Sequence, residues 1–268
     1  MGAPLKDPPV FLTLAQVKFN PVLNLIEYLP AIQDDFRNVG YPDFESHKGF
    51  AIRLQASQEG SQELNTPEPV QMNRFQFGNA EKTHLFILDS TGLTLQSTKY
   101  GNFENFSECF LKGLSIVHEA VNLTYIERIG LRYLDRIMPI QGKDLNDYLI
   151  EAVKGPQSKL GGDPVYSYVE SMNLIRSIRL ISRVAIQSGP LSLPPDLQIG
   201  GMRIEEKFLK HNGENATLDN DGFIEERHQF VNNEAIHAKL DEIHEVINKA
   251  FKETVTEEAL KIWSGSYE

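Results

Sequence analysis

Apolar residues alternate with polar ones, or recur at helical spacing, along most of the chain. Runs rich in β-branched and aromatic residues predict strands at Val10–Phe19, Phe50–Leu54, Val70–Phe77, Thr83–Leu88, Leu93–Tyr100, Ile126–Ile137, Val165–Met172, Ile175–Ile186, Gly201–Leu209 and Phe223–Phe230. Apolar stripes at helical spacing predict helices at Val22–Asn38, Phe103–Asn122, Leu145–Val153, Glu234–Lys252 and Glu257–Trp263. Within the first helix, Pro30 predicts a kink or a break.

The predicted elements follow the same order twice: a strand, a helix, four strands and a long helix. Leu-Asp-Ser-Thr-Gly-Leu at Leu88–Leu93 also matches Leu-Asp-Asn-Asp-Gly-Phe at Leu218–Phe223, at an offset of 130 residues that also aligns the two long helices. We therefore predict an α+β fold made by tandem duplication of a β-α-β4-α unit. The units span residues 1–124 and 125–268, either as two domains or as one domain in which they pack closely.

This element order is that of the TATA-binding-protein-like and helix-grip folds. In those folds a curved antiparallel sheet wraps around its last helix, so each unit is expected to pack its own antiparallel sheet on a long helix. The comparison rests on topology and implies no function.

Several short motifs resemble those of a family of bacterial proteins with a sporadic distribution and no established function. They are Pro8-Pro9-Val10, Gly40-Tyr41-Pro42, the stretch Gly130–Ile137 (Gly-Leu-Arg-Tyr-Leu-Asp-Arg-Ile), and the closing pattern Leu240, His244, Phe251 and Trp263. The family more often has Asn at the position of Asp135. Patchy distribution implies mobile or accessory genes, such as defence systems, and the family supplies no site residues.

Composition narrows the class of protein. The only cysteine is Cys109, so an internal disulfide is excluded, and no apolar run has the length of a signal-peptide core or a membrane span. These features predict a cytoplasmic protein with no membrane association. The net charge of −11 disfavours nucleic acid as a partner, and a protein partner is favoured instead.

Arginine on strands is the unusual feature of the sequence. Arg128, Arg132 and Arg136 share one face of a predicted strand, and Arg179 and Arg183 share a face of another, because side chains alternate along a strand. A guanidinium-lined sheet face is suited to phosphate, carboxylate or nucleic acid. The alternative is cross-strand ion pairing with Glu127, Asp135, Glu170, Glu205 and Glu206, since acidic residues nearly equal basic ones in number over residues 125–210.

Other candidate motifs favour ordinary structural roles. His237, Asp241 and His244 share one helical face, but no further ligand pattern accompanies them, so no metal is predicted. Asp219-Asn220-Asp221-Gly222 lacks the glutamate of a calcium loop and is expected to form a hairpin turn. Cys109 is expected to be a buried thiol. No catalytic residue and no cofactor are predicted.

These observations lead to a ranked set of functions. The first is a non-enzymatic binding or assembly protein, an accessory or regulatory part of a bacterial multi-gene system. The second is an anion or nucleic-acid binder that uses the arginine-bearing sheet. The third is a helix-grip pocket that holds an apolar small molecule. An enzyme with a dispersed site stays open, because catalytic groups need only meet in space.

Overall fold

The structure is a computed structural model that describes residues 5–53, 68–160, 165–229 and 232–265. Its strands are β1 (Val10–Phe19), β2 (Asp43–Arg53), β3 (Glu68–Gly78), β4 (His84–Asp89), β5 (Gly92–Ser97), β6 (Tyr125–Ile137), β7 (Tyr166–Ile175), β8 (Ile178–Ser188), β9 (Glu214–Ile224) and β10 (His228–Gln229). Its α-helices are α1 (Leu25–Asn38), α2 (Phe103–Val121), α3 (Gln157–Leu160), α4 (Glu206–Lys210), α5 (Asn233–Thr254) and α6 (Glu257–Ser264).

All strands of the described residues belong to one antiparallel sheet, in the order β2-β3-β4-β5-β1-β6-β9-β8-β7, with the short β10 beside β6. The prediction of two sheets, each packed on its own long helix, is therefore wrong. β1 and β6, the first strands of the two predicted units, pair with each other; Ala15 lies opposite Leu131. This pairing satisfies backbone groups that two separate sheets would have left on open edges. The boundary at residues 124 and 125 lies between α2 and β6, and a division into units stays a prediction.

The matched turn that motivated the duplication is also absent. Asp89–Gly92 connects β4 to β5, as predicted, but Asp219–Gly222 lies inside β9. The two long helices do begin at the predicted offset, at Phe103 and Asn233. The turn-like composition of β9 is overridden because its aspartates pair with arginines on the neighbouring strands.

Helices α1, α2 and α5 cover one face of the sheet, called here the helix face. The side chains of Asn102 and Asn232 accept hydrogen bonds from backbone N–H groups in the first turns of α2 and α5 and so fix where these helices begin. Leu240 and Ile243 of α5 are fully buried in the main hydrophobic core. Each such side chain contributes about 1.5–3 kcal/mol to folding by its removal from water. Pro30 does not divide α1, which continues from Leu25 to Asn38.

The opposite face, called here the open face, is partly covered by the segment 189–210. Phe208 of α4 packs on Phe11 of β1, with ring centroids 5.9 Å apart, within a second apolar cluster. The predicted strand Gly201–Leu209 is wrong because Phe208 is buried by a helical turn that needs no strand partner. A third cluster joins Tyr148 and Trp263 beneath α6.

Two further element predictions in the second half are wrong. Leu145–Val153 forms turns and a 3-10 helix at Glu151–Val153 in place of an α-helix. The strand predicted at Phe223–Phe230 instead begins at Glu214 and ends at Ile224. Strands β7 and β8 and helices α5 and α6 lie close to their predicted positions.

Helix α2 approaches β4 at Gly113, where a Cβ atom would lie only 2.3 Å from the Phe86 ring. Alanine favours a helix over glycine by about 1 kcal/mol, but overpacking a core costs roughly 1–3 kcal/mol. Because both the ring and the helix are buried, we expect Gly113→Ala to lower the free energy of unfolding by about 1–2 kcal/mol. Urea unfolding measures this change. Lys112→Ala, at an exposed position of the same helix, is the control, and equal midpoints for the two variants would contradict the close approach.

Candidate functional sites

The five predicted arginines all lie on the open face of the sheet. Arg128, Arg132 and Arg136 alternate along β6, and β9 lies between them and the arginines of β8, with Arg183 directly opposite Asp219. The sheet therefore brings the five guanidinium groups onto one surface. Among the described residues, each has an acceptor within the protein.

Arg132 lies at the centre of this surface and contacts two carboxylates. Its Nε and Nη2 donate to the two Asp219 carboxyl oxygens at 2.7 Å each, and its Nη1 donates to Asp196 at 2.5 Å. Burial lowers the pKa of Arg132, but the hydrogen bonds to Asp219 and Asp196 outweigh it and raise that pKa above its ordinary value. Arg183 shares the Asp219 carboxylate at 3.1 Å and also donates to Glu170 at 2.6 Å.

Arg136 is buried, with 1% of its surface exposed, and it makes no ion pair within the described residues. Its guanidinium donates to the backbone carbonyls of Gly189 at 2.9 Å and His211 at 3.1 Å, to the carbonyl of Phe208, and to the side chain of Asn215. Burial lowers the pKa of Arg136. These contacts tie both ends of the segment 189–210 to the sheet, which is a structural role.

Arg128 and Arg179 lie toward the outer part of the same face. Arg128 donates to Gln16 at 2.6 Å, lies 3.6 Å from Asp221, and places its guanidinium 4.4 Å from the centre of the Phe223 ring. Arg179 forms an exposed pair with Glu225 at 2.5 Å.

A cleft of about 380 Å³ runs beside Arg128 and Arg132, and Lys18, Asp196 and Asp221 also line it. An anion entering this cleft would have to displace or share a carboxylate that already neutralises a guanidinium. Anion binding by the five arginines stays a prediction.

A second site lies on the helix face, on the other side of β6. The Tyr133 hydroxyl of β6 lies 2.9 Å from the Tyr100 hydroxyl and 3.1 Å from His244 Nδ1 on α5. The Phe103 ring stacks on the His244 ring, with centroids 4.2 Å apart. Burial lowers the pKa of His244 and raises the pKa values of Tyr100 and Tyr133. Hydrogen bonds therefore join a neutral imidazole, the Tyr133 hydroxyl and the Tyr100 hydroxyl in one chain.

Asp135, two residues beyond Tyr133, points toward the same helix face and is only 6% exposed. Within the described part of the chain, no hydrogen bond acts on its carboxyl group. Burial, with a smaller contribution from the Asp219 carboxylate, raises the pKa of Asp135 to about 7. A buried acid with this environment is a common feature of functional sites.

These side chains line a cavity of about 140 Å³, called here the Asp135 pocket. Its walls are Asp135, Tyr100, Tyr133, His244, Ile247, Asn248, Phe251, Leu5, Pro8, Pro9 and Val10. Seven of these residues also line a wider groove of about 880 Å³, into which Glu104, Lys252 and Lys261 project. The pocket therefore has an apolar wall, one unpaired carboxyl group within the described residues and an exit to the surface.

The remaining candidate motifs do not form a site. His237 Nε2 contacts Ser107 at 3.3 Å and His244 contacts Tyr133, so the two imidazoles have separate partners. No cluster of three metal-ligating side chains occurs in the ranges that the structure describes. The Cys109 thiol lies 2.8 Å from the Tyr41 hydroxyl, and burial raises the pKa of Cys109.

The sequence contained a signal for the Asp135 pocket that the arginine pattern obscured. On the face of β6 opposite the arginines, the residues are Ile129, Leu131, Tyr133 and Asp135. A carboxylate that continues an apolar face is an exception to the alternation of a half-buried strand and marks a polar position inside the core.

No protein-family model matches the sequence, and no curated protein matches it. The fold and both sites therefore rest on the structure. None of the described helices combines the length and the apolar character that crossing a membrane requires.

Proposed function

We propose that this chain is a non-enzymatic binding protein and that it holds a small molecule in the Asp135 pocket. The observation that carries the proposal is the Asp135 carboxyl group, which is 6% exposed, lines the pocket and receives no hydrogen bond from the described residues. More than about 90% of buried polar groups have a partner, and each exception calls for an explanation. A ligand that donates to Asp135 supplies the missing partner.

The surroundings of Asp135 support a binding role. Ligand pockets are mostly apolar, with a few polar groups that fix orientation. Here Pro9, Val10 and Phe251 form apolar wall, while Tyr100 and His244 supply polar atoms. The tyrosine and histidine groups are already joined in one hydrogen-bonded chain, which keeps the wall of the pocket in one geometry.

Among the described residues, the side chains give less support to nucleophilic catalysis. The Cys109 thiol has a raised pKa and a tyrosine hydroxyl beside it in place of a base. No nucleophile is paired with His244, whose Nδ1 is occupied by Tyr133. Binding without covalent chemistry is the function that these contacts favour.

We place the protein in the cytoplasm and include a protein partner in the proposal, in line with its single cysteine and acidic net charge. The arginine face is a second candidate surface, and its carboxylate partners favour a structural role. A link to mobile or defence genes stays a prediction from family resemblance.

The proposal predicts that a bound ligand stabilises the fold through Asp135. Native mass spectrometry of the purified protein, followed by release of any bound molecule in organic solvent, would identify the ligand. At 100 times its dissociation constant, a ligand adds about 2.7 kcal/mol of stability, which shifts Tm by roughly 5–10 °C in a chain of this size.

Asp135→Asn is expected to lose most of this shift, because the amide replaces one acceptor oxygen with a donor NH2 group. Asp34→Asn, at an exposed carboxylate of α1, is the matched control and should keep it. A ligand that shifts Tm equally in both variants, or that footprints on the open face, would contradict the proposed site.

A further inference from the structure

We propose that the ligand of the Asp135 pocket is an organic cation, an amine with an apolar body whose N–H groups donate to the Asp135 carboxylate. The inference rests on the proposed function and adds the chemical class of the ligand. It follows from which groups face the carboxylate and which do not.

The polar groups around Asp135 do not neutralise its charge. Tyr133 lies on its own strand, Tyr100 faces it from the loop before α2, and His244 and Asn248 face it from α5. The Tyr133 and Tyr100 hydroxyls are engaged with each other and with His244. Asp219 of β9 contributes to the raised pKa of Asp135, and its own carboxylate is paired with Arg132 and Arg183 on the open face.

Burial without a counter-charge is costly for a carboxylate, and buried charges in proteins are normally paired. In the described residues no lysine or arginine lies within ion-pairing distance of Asp135. An ammonium group in the pocket would supply that counter-charge. A neutral alcohol would supply one hydrogen bond and no charge, and an anion would be repelled.

The walls of the pocket also suit a cation. The rings of Tyr100 and Tyr133 meet edge to face with centroids 5.1 Å apart, and Phe251 contributes a third ring to the lining. Aromatic faces attract cations, and the attraction increases when water is excluded. The apolar part of the ligand would follow Val10 and Phe251 toward the wider groove.

Both negative and positive side chains lie near the groove, whereas the net charge of the whole molecule is negative. The charge of Glu104 acts to raise the pKa values of Tyr100, Tyr133 and His244. Asp241 and Glu245 also act to raise the pKa of His244. Lys252 and Lys261 add positive charge to the lining of the groove. The net charge of −11 attracts a cationic ligand to the protein at low ionic strength.

Binding of an amine should depend on pH with a definite sign. Because the pKa of Asp135 is raised to about 7, most of the carboxyl group is protonated at pH 6 and ionised at pH 8. An alkylamine stays charged over this range. We expect its affinity to be about tenfold weaker at pH 6 than at pH 8, since the protein must release a proton to bind it.

The test compares three probes of similar shape: 2-phenylethylamine, 2-phenylethanol and phenylacetate. Calorimetric titration at pH 6 and pH 8 should detect the amine, with the alcohol and the carboxylate much weaker. Asp135→Asn should lower the affinity for the amine by roughly 10- to 100-fold and remove the pH dependence of that affinity. Asp34→Asn should leave both unchanged.

The outcomes separate this inference from the proposed function. If the alcohol binds as tightly as the amine, or if amine affinity is the same at both pH values, the proposal of a cationic ligand is wrong. The pocket would still bind a small molecule. If none of the three probes binds and no molecule is released from the purified protein, both the proposal of a cationic ligand and the proposed function are wrong.

Discussion

Replacing Arg132 by alanine is expected to lower the free energy of unfolding by about 3 kcal/mol. Asp219 is 2% exposed and receives two hydrogen bonds from Arg132. Without the guanidinium, the cation that the described residues leave beside the buried carboxylate is Arg183 at 3.1 Å. Breaking a buried ion pair costs about 3–5 kcal/mol, and the remaining Arg183 contact places the change at the low end.

Urea unfolding of Arg132→Ala at pH 7 measures the loss, with Arg179→Ala as control. Arg179 and Glu225 are both about half exposed, and an exposed pair contributes about 0–1 kcal/mol. The same two proteins also test the anion-binding prediction, because a surface that binds oligonucleotides should lose affinity and salt dependence in both variants. Oligonucleotide binding that weakens without a loss of stability would contradict the structural role of Arg132.

Asp135→Asn is expected to stabilise the ligand-free protein at pH 8 by up to about 4 kcal/mol. The pKa of Asp135 is about 7 in the fold and 3.8 for an ordinary aspartate, so the folded state binds the proton more tightly than the unfolded state. The stability that the protonated acid confers is complete below pH 4 and is lost as pH rises through 7. Asparagine avoids the charge and should not show this loss.

Unfolding of the parent protein and Asp135→Asn at pH 4, 6 and 8 measures the difference between them. The gain should be small at pH 4 and largest at pH 8, and Asp34→Asn should follow the parent protein throughout. A variant that is less stable than the parent at pH 8 would show that the carboxylate has a partner in the native protein. Functional sites commonly lower the stability of the folded protein, so a gain in stability on replacing Asp135 would support a functional role.

Much of the local structure could be predicted because the periodicity was strong. The stripe Ile236, Leu240, Ile243 and Ile247 predicted α5, and it is the stripe that the sheet buries. The β-branched and apolar run of β1 predicted its full length. In both elements the local pattern and the tertiary contacts agree, which is the condition for sequence-based prediction to succeed.

The sheet could not be predicted because strand pairing is a non-local property. Nothing in the sequence of β1 indicates that β6 is its neighbour. In β9, Asp219, Asp221 and Gly222 have the composition of a turn, and only the arginines of β6 and β8 make them a strand. The arginines were found from their alternation, but their partners Asp196 and Asp219 were not, since Asp196 lies in an irregular segment.

The Asp135 pocket was missed for the same reason. Its groups come from β6, the loop before α2, and α5, which are far apart in sequence, and only the sheet and its helices bring them together. Asp135 itself could have been noticed as a charge on an apolar face. Tyr100 had no such signal.

The central position of β1 has a consequence for the order of events on the ribosome. β1 pairs with β5 on one side and β6 on the other, so one of its edges stays unpaired until β6 has been made. β6 follows β1 by roughly 110 residues, which at ~10 residues per second is about 10 s of synthesis. During that time the apolar strand β1 has an exposed edge, which can bind a chaperone or pair with another chain in an aggregate. The dominance of such long-range pairings also places the chain among slow folders.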